Sequence, residues 1–207
     1  MMTYKKNSLR LVLRDLPCDI RCDPQVAGIE LAMSEPLRAY FRYEEDADTL
    51  SIIQTRGFWE QRRPHIFDVL RKRKIVITVG VPLNELQVQV GAGLRMNGVH
   101  IGSGIFRVDN GSVELRNTIF RSADCAGSSC SFHAKDVSIA DQLVVDIKNG
   151  SFTWEDTPGS AGVDVHKSIG RVTFYGKEMR SGQSTQSARK PRLSISCDGG
   201  SVKLGKS

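Results

Sequence analysis

Five segments of this chain, LQVQVGAGLRM, FRVDNGSVEL, VVDIKNGSFTW, VDVHKSIGRVTF and LSISCDGGSVKL, place alternating apolar residues on both sides of a glycine turn. Gly93 to Gly111, Gly111 to Gly150 in two steps, and Gly150 to Gly170 keep a step of ~20 residues, and Gly200 follows after a longer gap. Period-2 alternation turns one side of each short strand to a core and the other to water. A unit of this size cannot bury its apolar side alone, so it must stack on its neighbours. The expected fold is all-β, a single-stranded β-solenoid (a β-helix or β-roll) of ~19–20-residue coils with little or no helix. From Leu86 each coil reads as three short segments: LQVQV, LRM and VHI, then FRV, VEL and TIF, then ADC, SFHA and VSI. Arg95, Arg107, Glu114, Asp146 and Asp164 alternate with the apolar residues and are expected to point outward.

The rest of the 207 residues is read around this array as one domain, 1–207. Strands are expected over 9–53, a basic excursion over 54–74, regular coils over 75–175, a mobile loop over 177–191 and a terminal coil over 193–204. Leu37, Ala39 and Phe41 alternate within LRAYFRY and read as a strand, and Pro64 suits the first turn of a short helix. Asn110-Gly111 and Asn149-Gly150 suit turns that need positive φ. No apolar run reaches the ~20 residues of a membrane span, and Arg10, Arg14 and Asp15 interrupt any leader-like stretch. The sequence as written therefore reads as cytoplasmic, and a leader or anchor outside it would move the expectation to the cell surface.

A strand KIVITVGVPLNELQVQV followed by NGSVEL and NGSFTW resembles the bacterial family described as "putative adhesin", a domain of unknown function built on Gly-repeat β-helices. The resemblance covers roughly residues 9–207 and is strongest over 74–175. It implies a β-helix or β-roll, often joined to a membrane segment or displayed at a cell surface. It implies no catalytic residue, because the family's glycines and apolar positions specify structure.

Of the five cysteines, Cys18 and Cys22 share parity with Ile20, and Cys197 shares parity with Leu193 and Ile195. Core packing is the expected role, with a disulfide or a zinc site, the latter from the pairs Cys18/Cys22 and Cys125/Cys130, as alternatives. His65, His100, His133 and His166 are read as surface residues. Asp109, Glu114, Asp146, Glu155 and Asp164 are the acids a carbohydrate-active β-helix would draw on, but their polar neighbours do not recur as a set.

The net charge is +6, unevenly spread. Residues 15–50 hold nine acids against three arginines, whereas residues 56–74 hold seven bases against two acids, and 167–206 nine bases against two acids. In the middle zone Arg56, Trp59, Arg62, Arg63, Arg71, Lys72, Arg73 and Lys74 are the candidate ligand-binding residues, where cations and rings interleave as a polyanion or anionic surface requires. The competing reading is that Phe58 and Trp59 plug one end of the array. The expected function is a non-catalytic binding or scaffolding module with no cofactor. Its partner is expected to be a protein or glycan, an anionic surface, or a second copy meeting it through the solenoid ends. A polyanion-binding module and a carbohydrate-active enzyme are the alternatives.

Overall fold

Short alternating strands separated by tight turns leave each backbone edge in need of a partner, and two large sheets supply it. The computed structural model describes residues 2–57, 74–185 and 190–206. Its N-terminal part runs through β1 (Met2–Tyr4), β2 (Ser8–Leu13), β3 (Cys18–Cys22), β4 (Ile29–Ala32), one helical turn α1 (Glu35–Arg38), β5 (Phe41–Glu45), β6 (Thr49–Gln54) and β7 (Ile75–Val79). The middle alternates long and short strands: β8 (Leu83–Val90), β9 (Gly93–Asn97), β10 (His100–Asp109), β11 (Ser112–Arg116), β12 (Ile119–Ser128), β13 (Ser131–Lys135), β14 (Ser138–Lys148) and β15 (Ser151–Trp154). The chain closes with β16 (Gly162–Lys167), β17 (Arg171–Phe174), β18 (Lys177–Met179), β19 (Arg192–Asp198) and β20 (Ser201–Leu204).

The eleven-stranded sheet has the order β1-β4-β7-β3-β9-β11-β13-β15-β20-β17-β18, and the nine-stranded sheet β16-β19-β14-β12-β10-β8-β2-β6-β5. The all-β content matches the sequence, but the expected single-stranded solenoid does not. Both sheets are mixed, with antiparallel pairs β1–β4, β4–β7, β5–β6 and β17–β18 near their edges. Strands also leave chain order: β2 and β3 lie inside β6 and β7, while β19 and β20 lie inside β16 and β17. A strand pattern of period 2 sets which side is buried but not which strand is the neighbour, so the glycine step misled on winding order.

Three segments per repeat also become two strands. VHI and FRV are the two ends of β10, which pairs in parallel with β8 and β12 along nearly its whole length. The expectation failed because inward parity changes within the strand. Ile101 is buried, then Phe106 and Val108, and the extra residue falls at Gly102–Gly104. β12 shares this change and stays in register with β10, whereas β14 has one more residue, so the β12–β14 ladder is irregular between Phe120 and Ser122. LRAYFRY divides: Leu37 N donates to Ser34 O at 3.0 Å and Tyr40 N to Leu37 O at 3.0 Å, so its first residues turn in and after α1, while Phe41 to Tyr43 open the strand β5.

One apolar cluster extends from Leu9 to Leu204 between the sheets. Its columns follow the register: Leu11, Val88, Phe106, Cys125, Val145, Ile195 and Val165 lie in line from β2 to β16, all buried. Each such aliphatic or aromatic side chain contributes about 1.5–3 kcal/mol by leaving water. The turns stack too. Asn110 and Asn149 take φ of 56° and 52°, with Ser129 at 48° and Gly199 at 73° in the equivalent places. In the Asn-Gly turns the asparagine carries the left-handed backbone. The glycine answers a different need: a Cβ on Gly111 would lie 2.3 Å from the Ala92 carbonyl oxygen.

Cys18, Cys125, Cys130 and Cys197 are buried free thiols, whereas Cys22 is exposed despite its inward parity. It is the last residue of β3, where the chain leaves the sheet. Residues 177–185 are tied to the end of the sheets: β18 pairs with β17, and Thr185 Oγ1 accepts from Val163 N at 2.8 Å and donates to Ala161 O at 3.2 Å.

Candidate binding face on the eleven-stranded sheet

Outward residues of β3, β9, β11, β13, β15 and β20 form rows across the sheet because their strands run parallel and in register. One row is Asp19, Arg95, Glu114, His133, Thr153 and Lys203. The next holds Arg21, Asn97, Arg116 and Lys135, and on the other side Ser112, Ser131, Ser151 and Ser201 stand beside one another. Neighbours within a row are ~4.8 Å apart along the sheet, so long side chains reach across two or three strands.

Glu114 is the centre of this face. Its Oε2 lies 3.2 Å from Arg95 Nε, and its Oε1 lies 2.8 Å from Arg116 Nε and 2.5 Å from Arg116 Nη2. One carboxylate thus serves two guanidinium groups, which keep 73% and 57% of their side-chain surface exposed. Arg21 lines the same depression and reaches Thr78 Oγ1 at 3.4 Å. Asp19 pairs with Lys74, and Asn117 Nδ2 donates to Asn97 Oδ1 at 2.8 Å. His133 Nε2 meets Glu155 Oε1 at 2.8 Å, and that hydrogen bond holds the Glu155 carboxyl below its ordinary range against a smaller opposing effect of desolvation. The aromatic side chains of these strands, Phe132, Phe152 and Trp154, are all in the core. Among the described residues the face therefore offers charge and hydrogen bonds, with hydroxyls alongside and the His133 imidazole as an exposed ring, while its phenylalanine and tryptophan rings are turned inward.

Of the residues singled out by sequence, Lys74 borders this face, together with Asp19, Arg95, Glu114 and His133. Arg56 follows β6 and is exposed, its backbone carbonyl accepting from Gln54 Nε2 at 2.9 Å. Trp59, Arg62, Arg63, Arg71, Lys72 and Arg73, along with Phe58, Pro64 and His65, lie outside the described residues. The candidate acids are not brought together. Glu114 and Glu155 are on the eleven-stranded side, Asp146 and Asp164 on strands of the other sheet, and Asp109 accepts from Ser128 Oγ at 2.9 Å. Among the described residues no three His, Cys, Asp or Glu side chains gather as a metal site would require. Arg95, Glu114 and His133 follow one another at an equal spacing, a periodicity of polar residues that the sequence reading did not use and that could have pointed to the face.

No model of a known protein family matches the sequence, and no curated protein matches it. Among solved structures the chain is similar to a "putative adhesin" from Bacteroides fragilis, with a TM-score of 0.54 and 10% identity over 99% of this chain and 94% of that one. A "putative cell adhesion protein" from Clostridium sporogenes aligns with a TM-score of 0.42 and 15% identity over 98% of this chain and 94% of that one. A "putative adhesin" from Parabacteroides distasonis gives 0.37 and 13% over 98% and 94%. At 10% identity, the likeness to the Bacteroides fragilis protein is one of fold, and it extends over nearly the whole of both chains.

Proposed function

We propose that the protein is a non-catalytic, adhesin-like binding module that works as one domain over 1–207 and meets its ligand with the outer face of the eleven-stranded sheet. The observation that carries this reading is the sharing of Glu114 by Arg95 and Arg116, which leaves cationic donors exposed on a rigid, regular surface. The name of the Bacteroides fragilis structure similar in fold points the same way. A binding role also fits the acids: Glu114 and Glu155 are engaged by arginine and histidine instead of facing each other across a groove. The test is capture on an array of glycans and surface proteins. The variant Arg95→Ala/Arg116→Ala is expected to lose the captured ligands, and unchanged capture by that variant would remove the reading.

A second reading keeps Arg56, Trp59, Arg62, Arg63, Arg71, Lys72, Arg73 and Lys74 as the contact for a polyanion or anionic surface. The position of Lys74 beside Asp19 and Arg95 supports it, because the segment then ends next to the same face. Binding of the full chain to anionic vesicles or heparin should drop in Arg62→Ala/Arg63→Ala and in Arg71→Ala/Lys72→Ala. Equal binding by both variants would leave the sheet face as the contact.

A further inference from the structure

The charge balance of the face around Glu114 and the burial of the phenylalanine and tryptophan rings of its strands together narrow the ligand. Arg21, Arg95, Arg116 and Lys135 are cations on three adjacent strands, β3, β9 and β11, and the next one, β13. Glu114 engages two of them, and Asp19 is held by Lys74. Lys135 is exposed and faces Arg116 in register. The face thus carries more positive charge than its own carboxylates neutralise. Two guanidinium groups that share a single carboxylate have N–H donors to spare, and guanidinium matches a carboxylate or sulfate through paired hydrogen bonds.

Nucleic acids with unpaired bases are held mainly on platforms of several stacking rings, and the phenylalanine and tryptophan rings of these strands are buried, which leaves the His133 imidazole, itself held by Glu155, as the exposed ring among the described residues. A neutral sugar lacks the charge that would draw it to spare guanidinium donors. Ser112 and Ser131, one position along each strand from the charged row's apolar neighbours Val113 and Phe132, border the cations with hydroxyls. Charged groups flanked by hydroxyl partners along a parallel ladder fit an extended acidic polymer of sugars.

We infer that this face binds an acidic polysaccharide, whose carboxylate or sulfate groups take Arg95 and Arg116 in exchange for Glu114. The inference rests on the binding-face reading above. Glu114 then acts as a built-in competitor: it keeps the two side chains ordered while the face is empty and yields them to the ligand. Removing its charge should therefore strengthen binding, the opposite of what removing either arginine does.

The experiment titrates the full-length protein against polygalacturonate, with fully methyl-esterified polygalacturonate and single-stranded DNA as parallel probes. Wild type is expected to bind the acidic polymer with an affinity that falls as salt rises, and to ignore the esterified one. Arg95→Ala and Arg116→Ala should each weaken binding about fivefold, and Glu114→Gln should tighten it by a similar factor. Arg107→Ala removes the same charge from the nine-stranded sheet, where Arg107 pairs with Asp124, and should leave binding unchanged. Unchanged melting temperatures establish that the variants are folded. Equal weakening by Arg107→Ala, no gain in Glu114→Gln, or tighter binding of single-stranded DNA overturns the inference. Capture of the esterified polymer that is lost in Arg95→Ala also overturns it while leaving the binding face standing; unchanged capture of every probe by both arginine variants removes both.

Discussion

Trp154 donates its indole N–H to the Val137 carbonyl oxygen at 3.0 Å from a side chain that is 1% exposed. In the two preceding connections, β9 to β10 and β11 to β12, the equivalent carbonyls, Val99 O and Thr118 O, accept backbone N–H groups of Ile119 and Ser138, each at 3.1 Å. After β15 the chain departs toward β16, and the indole takes the place of the backbone donor at Val137. A tryptophan is thus required both for volume and for its single polar atom. Trp154→Phe keeps most of the packing and leaves that carbonyl without this donor, so it should lower stability by about 1–3 kcal/mol in urea unfolding. Trp154→Ala should cost about 3–5 kcal/mol. A phenylalanine variant as stable as wild type would show that the hydrogen bond contributes nothing.

Gly93 and Gly111 mark successive steps in the sequence, but Gly93 opens β9 in register with Ser112, whereas Gly111 sits in the turn over Ala92, so their surroundings differ. A Cβ at Gly111 would meet the Ala92 carbonyl oxygen at 2.3 Å, while at Gly93 the nearest atom is Ser112 Oγ at 3.6 Å. Gly111→Ala must push two turns apart and is expected to lose about 1–3 kcal/mol. Gly93→Ala has room and a smaller unfolded-state entropy, so it should fall within about 0.5 kcal/mol of wild type or slightly above it. Thermal melts of the two variants side by side decide the point, and equal losses would refute the steric account.

Thiol reactivity separates the cysteines in the same direct way. Cys18 and Cys125 lie in core columns, and burial pushes both thiols far above the ordinary range, with smaller contributions from Asp19 and Asp124. Burial also raises Cys130 and Cys197. Only the thiolate reacts with an alkylating agent, and these four thiols neither ionise readily nor meet solvent. Iodoacetamide on the native protein should modify Cys22 first and the others only on unfolding. Mass spectrometry that finds Cys125 labelled as fast as Cys22 would contradict the burial.

These cases also mark what the sequence could convey. The inward places of Cys18, Val113, Phe132 and Val202 were readable, because alternation alone assigns them and each is buried. The positions of β3 and β20 between strands distant in the chain were not, since any strand with the same alternation satisfies the same core column. Cys22 shows a second limit: parity continues to the end of a strand, but burial stops where the facing layer does. The face was legible only in part. Arg95 and Glu114 were recognisable as outward-pointing residues, yet their grouping depends on β9 and β11 being parallel and in register. A hydrophobic pattern does not encode partner and register for the polar side. Lys74 was singled out for its basic run, and the structure gives it a partner 55 residues earlier, Asp19.

The pair formed by His133 and Glu155 gives a pH dependence with a definite sign. The hydrogen bond from His133 is the main reason that the Glu155 carboxyl sits below its ordinary 4.5, and the charges of His133, Lys135 and Lys206 act in the same direction. A carboxylate depressed in the folded state contributes stability above its unfolded value and loses it as pH falls through the folded one. The relevant window therefore lies below about pH 4.5. His133→Gln removes the charged donor, and the Glu155 midpoint, followed by carbon-13 NMR of the side-chain carboxyl, should rise toward 4.5. An unmoved midpoint would assign the depression to the two lysines.

The order of strands at the C-terminal end makes the strongest demand on the fold. β19 and β20 pair on one side with β14 and β15 and on the other with β16 and β17, so the last strands of the chain are interior members of both sheets. They bury Leu193, Ile195, Cys197, Val202 and Leu204, at about 1.5–3 kcal/mol for each aliphatic side chain. That sum is comparable with the whole stability of about 5–15 kcal/mol expected of a domain. Ending the chain at residue 189 would therefore remove two ladders from each sheet at once, whereas loss of an outermost strand removes one. The shortened protein is expected to lose cooperative thermal unfolding and to bind a hydrophobic dye. Adding a peptide of residues 190–207 should restore part of the transition, because the vacated position has a defined register on both sides. If the shortened chain instead melts cooperatively within a few degrees of the full one, β16 and β17 have closed onto β14 and β15. Leu193 pairs in register with both Leu143 and Val163, so that closure would need no change of facing residues, and it would show that the inserted strands are dispensable.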